Sequence, residues 1–198
     1  FAVLWQKEPS ENIMSVEWDA RHPETGRILP ASWSVAGHAE HGLPMPTDER
    51  VYLVLLELTH EAGFKSPEVH FSRYDVMQRL GWQPSTKSYA MLRTAFIRLQ
   101  GVNINTVNAF WDPKTKSYSD TGFNIIAEYS LHAEPPGRKS KVQSELPLSW
   151  FKWSDVMFSS FQSGYIRSLD IKFALSLKGD IALRLYRYLD KKTFGGRE

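Results

Sequence analysis

The chain has 198 residues, enough for one large domain or two small ones with a buried core. Hydrophobic residues make up 42% and charged residues 23%, and seven Trp, eight Tyr and eleven Phe argue against disorder. The absence of cysteine excludes disulfides and thiolate zinc sites, and no apolar run approaches the roughly 20 residues that span a bilayer. We therefore expect a cytoplasmic protein, and its start at Phe rather than Met suggests a part of a longer one.

Charge is unevenly distributed along the chain. Residues 1–70 contain five Lys or Arg and eleven Asp or Glu, whereas residues 71–198 contain nineteen Lys or Arg and eleven Asp or Glu. Such segregation is typical of a surface that binds a polyanion, and it also arises by chance on a solvated surface. The count alone leaves both interpretations open.

Residues 1–46 contain five of the prolines that interrupt regular structure, and we interpret this segment as an arm wrapped on a domain of residues 47–198. A short alternating piece at 13–18 is a possible strand. The regular part begins with an apolar helix that Thr47 would cap and that ends before Gly63. Because this helix is apolar on most sides, we expect it at the centre of the fold.

The pattern after this helix predicts a strand at 69–71 and then two helices joined by a tight turn. Ser72, with Asp75 three residues on, opens a short helix that stops at Gly81. Ser85 or Thr86 caps the next helix, which ends at Gly101. Helix, glycine-containing turn and helix is the pattern of a helix-turn-helix.

A β-hairpin follows, with strands at 102–111 and 117–131, a turn at 112–116 and an expected break at Gly122. Residues 134–141 are polar and predict a mobile loop, 154–164 favour helix over strand, and 179–194 predict an amphipathic helix. The order helix, strand, helix, helix, hairpin predicts an α+β winged helix-turn-helix with additional β and helical elements.

The helix after the turn carries the candidate binding residues. At about 100° per residue, Tyr89, Leu92, Phe96 and Leu99 share one side. The opposite side would present a stripe to the major groove of DNA, with Lys87 and Arg98 contacting phosphate or guanine. The stripe consists of Lys87, Met91, Thr94 and Arg98. A simply solvated helix face remains the alternative.

Further candidate contacts to DNA surround this helix. Ser85, Thr86 and Ser88 are candidates for binding backbone phosphates at the helix N-terminus. Arg73 is a further basic candidate for contact with DNA. Lys114 and Lys116 at the hairpin turn are typical of a wing beside the minor groove, although a solvated turn is about as frequent. The polar loop contributes weaker candidates, which are Arg138, Lys139 and Lys141.

Motifs for chemistry are missing from the sequence. The pair His38 and His41 lies in a glycine-rich loop without an evident third ligand, so we expect no metal site there. No nucleotide-binding loop, dinucleotide fingerprint, nucleophile elbow or clear cluster of carboxylates is present. We therefore expect neither an enzyme nor a cofactor.

Several segments resemble bacterial plasmid replication initiators with winged-helix domains, in particular those of the replication initiator protein A type. The end is the most specific part, with Arg-Leu-Tyr-Arg-Tyr-Leu-Asp-Lys at 184–191. The resemblance covers about residues 45–194. Its other segments are 48–51, 71–74, 80–82, 88–89, 98–99, 109–112, 145–149, 161–165, 169–170, 175–178 and 182–183.

The resemblance implies a function for the chain. Such initiators bind repeats in a plasmid origin, help to open the duplex, and recruit the host initiator ATPase and replicative helicase. Many contain two winged helices, the first shared between dimerisation and DNA contact, and this chain resembles only the first.

We therefore predict an origin-binding domain. A dimerisation or protein-interaction module, anchored by exposed aromatic residues such as Trp111 or Trp153, is the alternative, and a winged-helix transcriptional regulator is another.

Overall fold

The computed structural model describes residues 12–112, 116–132, 148–163 and 170–194, with the side chains of 110–112 and 191–194 left aside. It is a mixed α/β structure with antiparallel sheets, as the sequence predicts. The helices are α1 (Pro46–Glu61), α2 (Arg73–Leu80), α3 (Thr86–Gly101), α4 (Asp155–Gln162), α5 (Ile171–Ser176) and α6 (Asp180–Phe194). The strands are β1 (Ile13–Arg21), β2 (Ile28–Ala36), β3 (Glu68–Phe71), β4 (Asn103–Asp112), β5 (Ser117–Asn124), β6 (Ile126–Ser130) and β7 (Ser149–Trp153).

The strands form two antiparallel sheets. One has the order β1-β2-β4-β5 and the other β3-β7-β6. The predicted arm is thus part of a sheet, because β1 and β2 form a hairpin and β2 pairs with β4 from Ser32–Val107 to Ala36–Asn103. The expected strand break at Gly122 is wrong: β5 continues to Asn124, and Ile125 separates it from β6.

Helix α1 lies at the centre, as its apolar sequence predicts, and contacts α2, α3 and α5. Its start differs from the prediction, because Met45 rather than Thr47 occupies the N-cap. The backbone N–H of Met45 donates to Asp48 Oδ2 at 2.7 Å, so the carboxylate three residues on completes the helix start. Asp48 and Glu49, the two acidic residues in the first turn of α1, are buried and thus part of the structural core.

Helices α2 and α3 are joined by the predicted tight turn. Gly81 ends α2 in the left-handed region with φ of 69°, which favours glycine. Ser85 is the N-cap of α3, and its hydroxyl accepts from the backbone N–H of Ser88 at 3.1 Å. Ser72 caps α2 by position but makes no side-chain capping bond.

The main core lies between α1, α3 and the smaller sheet. Leu92, Phe96 and Leu99 of α3 are fully buried, as predicted, and Phe71 stacks on Phe96 with ring centroids 5.7 Å apart. Trp153 is also fully buried, so the prediction of Trp153 as an exposed anchor is wrong. Its indole Nε1 donates to Thr59 Oγ1 at 2.8 Å.

A second, smaller core fastens the C-terminal helices to α1. Leu53, Ala174 and Leu183 form it, and they come from α1, α5 and α6. The helices expected at 154–164 and 179–194 are confirmed as α4 and α6. Within the described ranges, every helix is too short or too polar to cross a membrane.

Candidate nucleic-acid interface

Helix α3 is the candidate surface, and it carries three cationic residues and no acidic one. Its first turn also lacks acids, although most helix N-termini favour them because of the helix dipole. The N-terminal N–H groups and the side chain of Lys87 are therefore left without a neighbouring carboxylate of the same helix. Such an end attracts anions.

Arg98, predicted to lie on the open stripe, is turned towards the protein. Its Nε donates to the carbonyl oxygen of His41 at 2.7 Å, and a terminal nitrogen lies 3.2 Å from Asp48 Oδ2. Only 2% of the Asp48 side chain is exposed. Burial raises the pKa of this carboxyl, while the Met45 N–H and the Arg98 guanidinium act in the opposite direction. Arg98 thus joins α3 to the start of α1 and to the 38–42 turn.

The exposed row of α3 is consequently displaced from the predicted stripe. Met91 and Thr94 are half-buried, whereas Lys87, Ala90 and Arg93 are exposed. Thr86 before this row and Gln100 beyond it are also exposed. The flank that contains Arg98 is occupied by a turn 57 residues away in sequence, so the opposite flank is the open one.

Arg93 is the residue that sequence reasoning missed. It lies beside Tyr129 of β6, whose pKa burial raises and the positive charge of Arg93 lowers. On a helical wheel, Arg93 does not lie directly opposite the buried side of α3, and the predicted stripe therefore did not include it. The signal that would have found it is the absence of any acid from the whole helix.

The predicted residues around the start of α3 do lie together. The guanidinium of Arg73, at the beginning of α2, lies over the ring of Tyr89 at 4.7 Å from its centroid. The Ser88 hydroxyl donates to the carbonyl oxygen of Gln83 at 2.6 Å and contacts Ser85 Oγ at 2.9 Å. Both hydroxyls therefore hold the turn before α3 in place, and Thr86 and Lys87 project to solvent.

The predicted hairpin contacts are only partly described. Lys116 is exposed and its ammonium lies 2.9 Å from Glu24 Oε1, in the turn between β1 and β2. Tyr118 of β5 donates its hydroxyl to the carbonyl oxygen of Arg21 at 3.1 Å, so the ends of the two hairpins lie together. Four of the predicted contacts lie outside the described residues: Lys114, Arg138, Lys139 and Lys141.

The histidine pair is part of a turn. His38 Nδ1 accepts from the backbone N–H groups of Glu40 and His41 at 3.2 and 3.3 Å, and the two rings are 5.0 Å apart. Across the described ranges, no group of three or more His, Cys, Asp or Glu residues is placed to hold a metal ion. His38 and His41 shape the turn whose carbonyl oxygen binds Arg98.

Comparison with known protein families identifies the family of this chain. A family model described as replication initiator protein A matches residues 19–198. The chain belongs to this family, which confirms the resemblance drawn from the sequence.

Two solved structures have a similar fold. A selenomethionine derivative of domains 2 and 3 of RctB has a TM-score of 0.66 and 12% identity, covering 96% of this chain and 67% of that one. A second structure of RctB domains 2–3 has a TM-score of 0.63 and 12% identity, covering 95% of this chain and 66% of that one. This chain therefore spans about two thirds of each, and the likeness concerns the fold. A search of curated proteins gave no match.

Proposed function

We propose that the chain binds duplex DNA of a plasmid replication origin through a winged helix, without a catalytic step or cofactor of its own. The order α1, β3, α2, α3, β6 and β7 fits a winged helix with α3 as the recognition helix, because β3, β7 and β6 form one antiparallel sheet. The hairpin that the sequence predicted as the wing, β4–β5, pairs with β2 in the other sheet instead. Membership of the initiator family supports origin DNA as the ligand. Recruitment of the host initiator ATPase and replicative helicase would follow binding.

The single observation that carries this proposal is the exposed, acid-free face of α3. Lys87 and Arg93 are exposed on it, and Arg73 lies beside its first turn. A cation on such a helix contacts phosphates or base edges in the major groove, because the helix fits the groove width. Arg98 is excluded from this interface, since a contact with DNA would require it to leave His41 and Asp48.

The test compares Lys87→Ala and Arg93→Ala with Lys178→Ala, an exposed lysine between α5 and α6. Fluorescence anisotropy with an origin duplex, measured over a range of salt concentrations, gives the affinity and its salt dependence. We expect each α3 variant to bind more weakly and, for a lost phosphate contact, the salt slope to fall by about one. Lys178→Ala should behave as the wild type. Unchanged binding of both α3 variants would refute the interface.

A second function, self-association, is supported by the apolar face of the larger sheet. The residues of this face alternate along β1 and β2 with residues of the opposite face. Among them, Val16, Trp18 and Trp33 remain 57%, 40% and 42% exposed. They line a groove of about 310 Å³ that continues from the main core at Ile104. Trp18 and Trp33 thus replace Trp153 as candidate anchors, while the side chain of Trp111 lies outside the described residues.

Sedimentation velocity of Trp33→Ser tests this second function. If the apolar face joins two copies, the variant should sediment as a monomer at concentrations where the wild type is a dimer. Ile28→Ser is the matched control, because Ile28 is 62% exposed on the other face of the same hairpin. A wild type that stays monomeric at high concentration would exclude self-association.

A further inference from the structure

Three asparagine side chains form a relay of hydrogen bonds that begins at the last turn of α3. Asn124 Nδ2 donates to the carbonyl oxygen of Gln100 at 2.6 Å, and Asn103 Nδ2 donates to Asn124 Oδ1 at 3.3 Å. Asn105 Nδ2 then donates to Asn103 Oδ1. Asn103 and Asn124 are half-buried, whereas Asn105 is exposed. The relay thus leads from the end of α3 to the open surface of the sheet.

The backbone carbonyl at the start of the relay determines the orientation of all three amides. The carbonyl oxygen of Gln100 can only accept, so Asn124 must turn its NH₂ group to it and its Oδ1 to Asn103. The same reasoning orients Asn103 and then Asn105. Asn105 consequently keeps its Oδ1 and one N–H outside the relay.

The surface around Asn105 is shaped for close approach. Asn105 pairs with Ser34 on one side and Gly122 on the other, and Ser34 pairs with Ser15. This row across four strands contains small, uncharged residues. A Cβ atom at Gly122 would lie 2.8 Å from Asn105 Oδ1, so glycine is needed there to leave the amide in place.

We propose that Asn105, oriented by the relay from α3, reads one A·T base pair of the bound duplex; this rests on the proposed binding of DNA through α3. One amide N–H and one carbonyl oxygen are the two groups with which asparagine contacts adenine in the major groove. In the minor groove an A·T pair offers acceptors to the same N–H. A preoriented amide loses little freedom on binding, which favours discrimination.

The charges on this face of the sheet indicate that Asn105 contributes to discrimination between base pairs rather than to the affinity for DNA. Glu17 and Asp19 of β1 and Asp120 of β5 lie on the same face, nearer the ends of the hairpins. They repel phosphates, and Arg21 is the cation that accompanies them along β1. On this face of the sheet, the proposed contact with DNA is therefore confined to the corner of Asn103, Asn105 and Asn124 beside α3.

Selection from a pool of random duplexes tests the proposal with the whole chain. Bound duplexes are sequenced for the wild type, Asn105→Ala and Gly122→Ala, with Ser34→Ala as the matched control on the same row. We expect both test variants to lose an A·T preference of about fivefold or more at one position, with other positions unchanged. Gly122→Ala is informative because it removes no hydrogen-bonding side chain. Thermal unfolding of each variant confirms that it folds.

The outcomes separate the two proposals. If the wild type selects sequences and Asn105→Ala selects the same ones, the base-reading role of Asn105 is refuted while binding through α3 stands. If Ser34→Ala loses the same preference, the effect belongs to the whole sheet face and the relay is refuted as its source. A wild type that binds the pool without selectivity refutes only the base-reading role of Asn105, whereas a wild type without affinity for the pool overturns both proposals.

Discussion

The hydroxyl of Thr59 satisfies two buried groups at once. It donates to the carbonyl oxygen of Leu55 at 2.7 Å and accepts from Trp153 Nε1 at 2.8 Å. The side chains of Thr59 and Trp153 are both fully buried. It therefore joins α1 to β7 inside the main core. A methyl group in its place would leave the indole N–H without its partner.

We expect Thr59→Val to lower the free energy of unfolding by about 1–3 kcal/mol, the cost of an unsatisfied buried donor. Urea unfolding followed by tryptophan fluorescence measures this change. Thr59→Ser keeps the hydroxyl and serves as the control, with a smaller loss from the missing methyl group. Equal losses in the two variants would show that packing, rather than the hydrogen bond, matters at this position.

Glu61 and Arg79 form a bidentate pair between the end of α1 and α2. Arg79 donates to the two carboxylate oxygens at 2.7 and 2.9 Å, and these hydrogen bonds lower the pKa of Glu61 from its usual 4.5. At pH values between the native pKa of Glu61 and 4.5, the native state therefore binds fewer protons than the unfolded state. The contribution of the pair to stability is present above pH 4.5 and is lost as the pH falls through the native pKa.

Glu61→Gln should accordingly reduce this acid sensitivity. We expect the variant to be less stable than the wild type at pH 6, and the difference to shrink as the pH falls below 4.5. Urea unfolding at several pH values measures it, with Glu40→Gln as the control, because the Glu40 side chain makes none of the described ion pairs. A difference that does not change with pH would contradict the assignment.

At the scale of elements, the orientation of α3 depends on a buried ion pair. Arg98 is the charged partner of Asp48, which opens α1, and it also holds the 38–42 turn. Removing one member of such a pair leaves the other charge buried, which costs about 3–5 kcal/mol. Arg98 therefore positions the helix, and loss of DNA binding after its substitution would not by itself identify a contact.

We expect Arg98→Met to destabilise the protein strongly and Asp48→Asn to relieve part of this loss when the two are combined. A double-mutant cycle of unfolding free energies measures the coupling, which should exceed about 0.5 kcal/mol for groups in direct contact. Lys87→Met is the control on the exposed side of α3 and should have little effect. Additive losses for Asp48 and Arg98 would contradict the proposed coupling.

At the scale of the whole molecule, the start of α1 connects the N-terminal part of the described chain to the C-terminal helices. Asp48 pairs with Arg98 on the side of the N-terminal turn, and Glu49, 3% exposed, pairs with Arg187 of α6. Arg50 donates to the carbonyl oxygens of Leu175 and Leu177 at 3.3 and 3.0 Å. Three consecutive residues thus fasten α3 on one side and the C-terminal helices on the other.

Substitutions at the two arginines should therefore loosen different parts of the chain. We expect Arg187→Met to increase hydrogen exchange in α5 and α6 and to leave α3 protected, because the small core there is shared only with α1 among the described elements. Arg98→Met should increase exchange in α3 and the 38–42 turn. Mass spectrometry of peptides resolves these regions, and identical profiles would show that the two contacts act as one unit.

The sequence by itself predicted the features that depend on near neighbours. The spacing of Leu92, Phe96 and Leu99 shows which side of α3 is buried, and Ser85 caps this helix as expected. The central position of α1 follows from its apolar residues. Periodicity and capping act over a few residues, so they can be read locally.

Only the tertiary structure decided which flank of α3 is open and which aromatic side chains are exposed. The turn at His41 covers the side of Arg98 and leaves Arg93 exposed, and Trp153 is buried beneath Thr59 while Trp18 and Trp33 remain accessible. Each of these facts depends on contacts between residues tens of positions apart. A helical pattern shows that a surface is polar, but a distant segment determines whether solvent or protein lies against it.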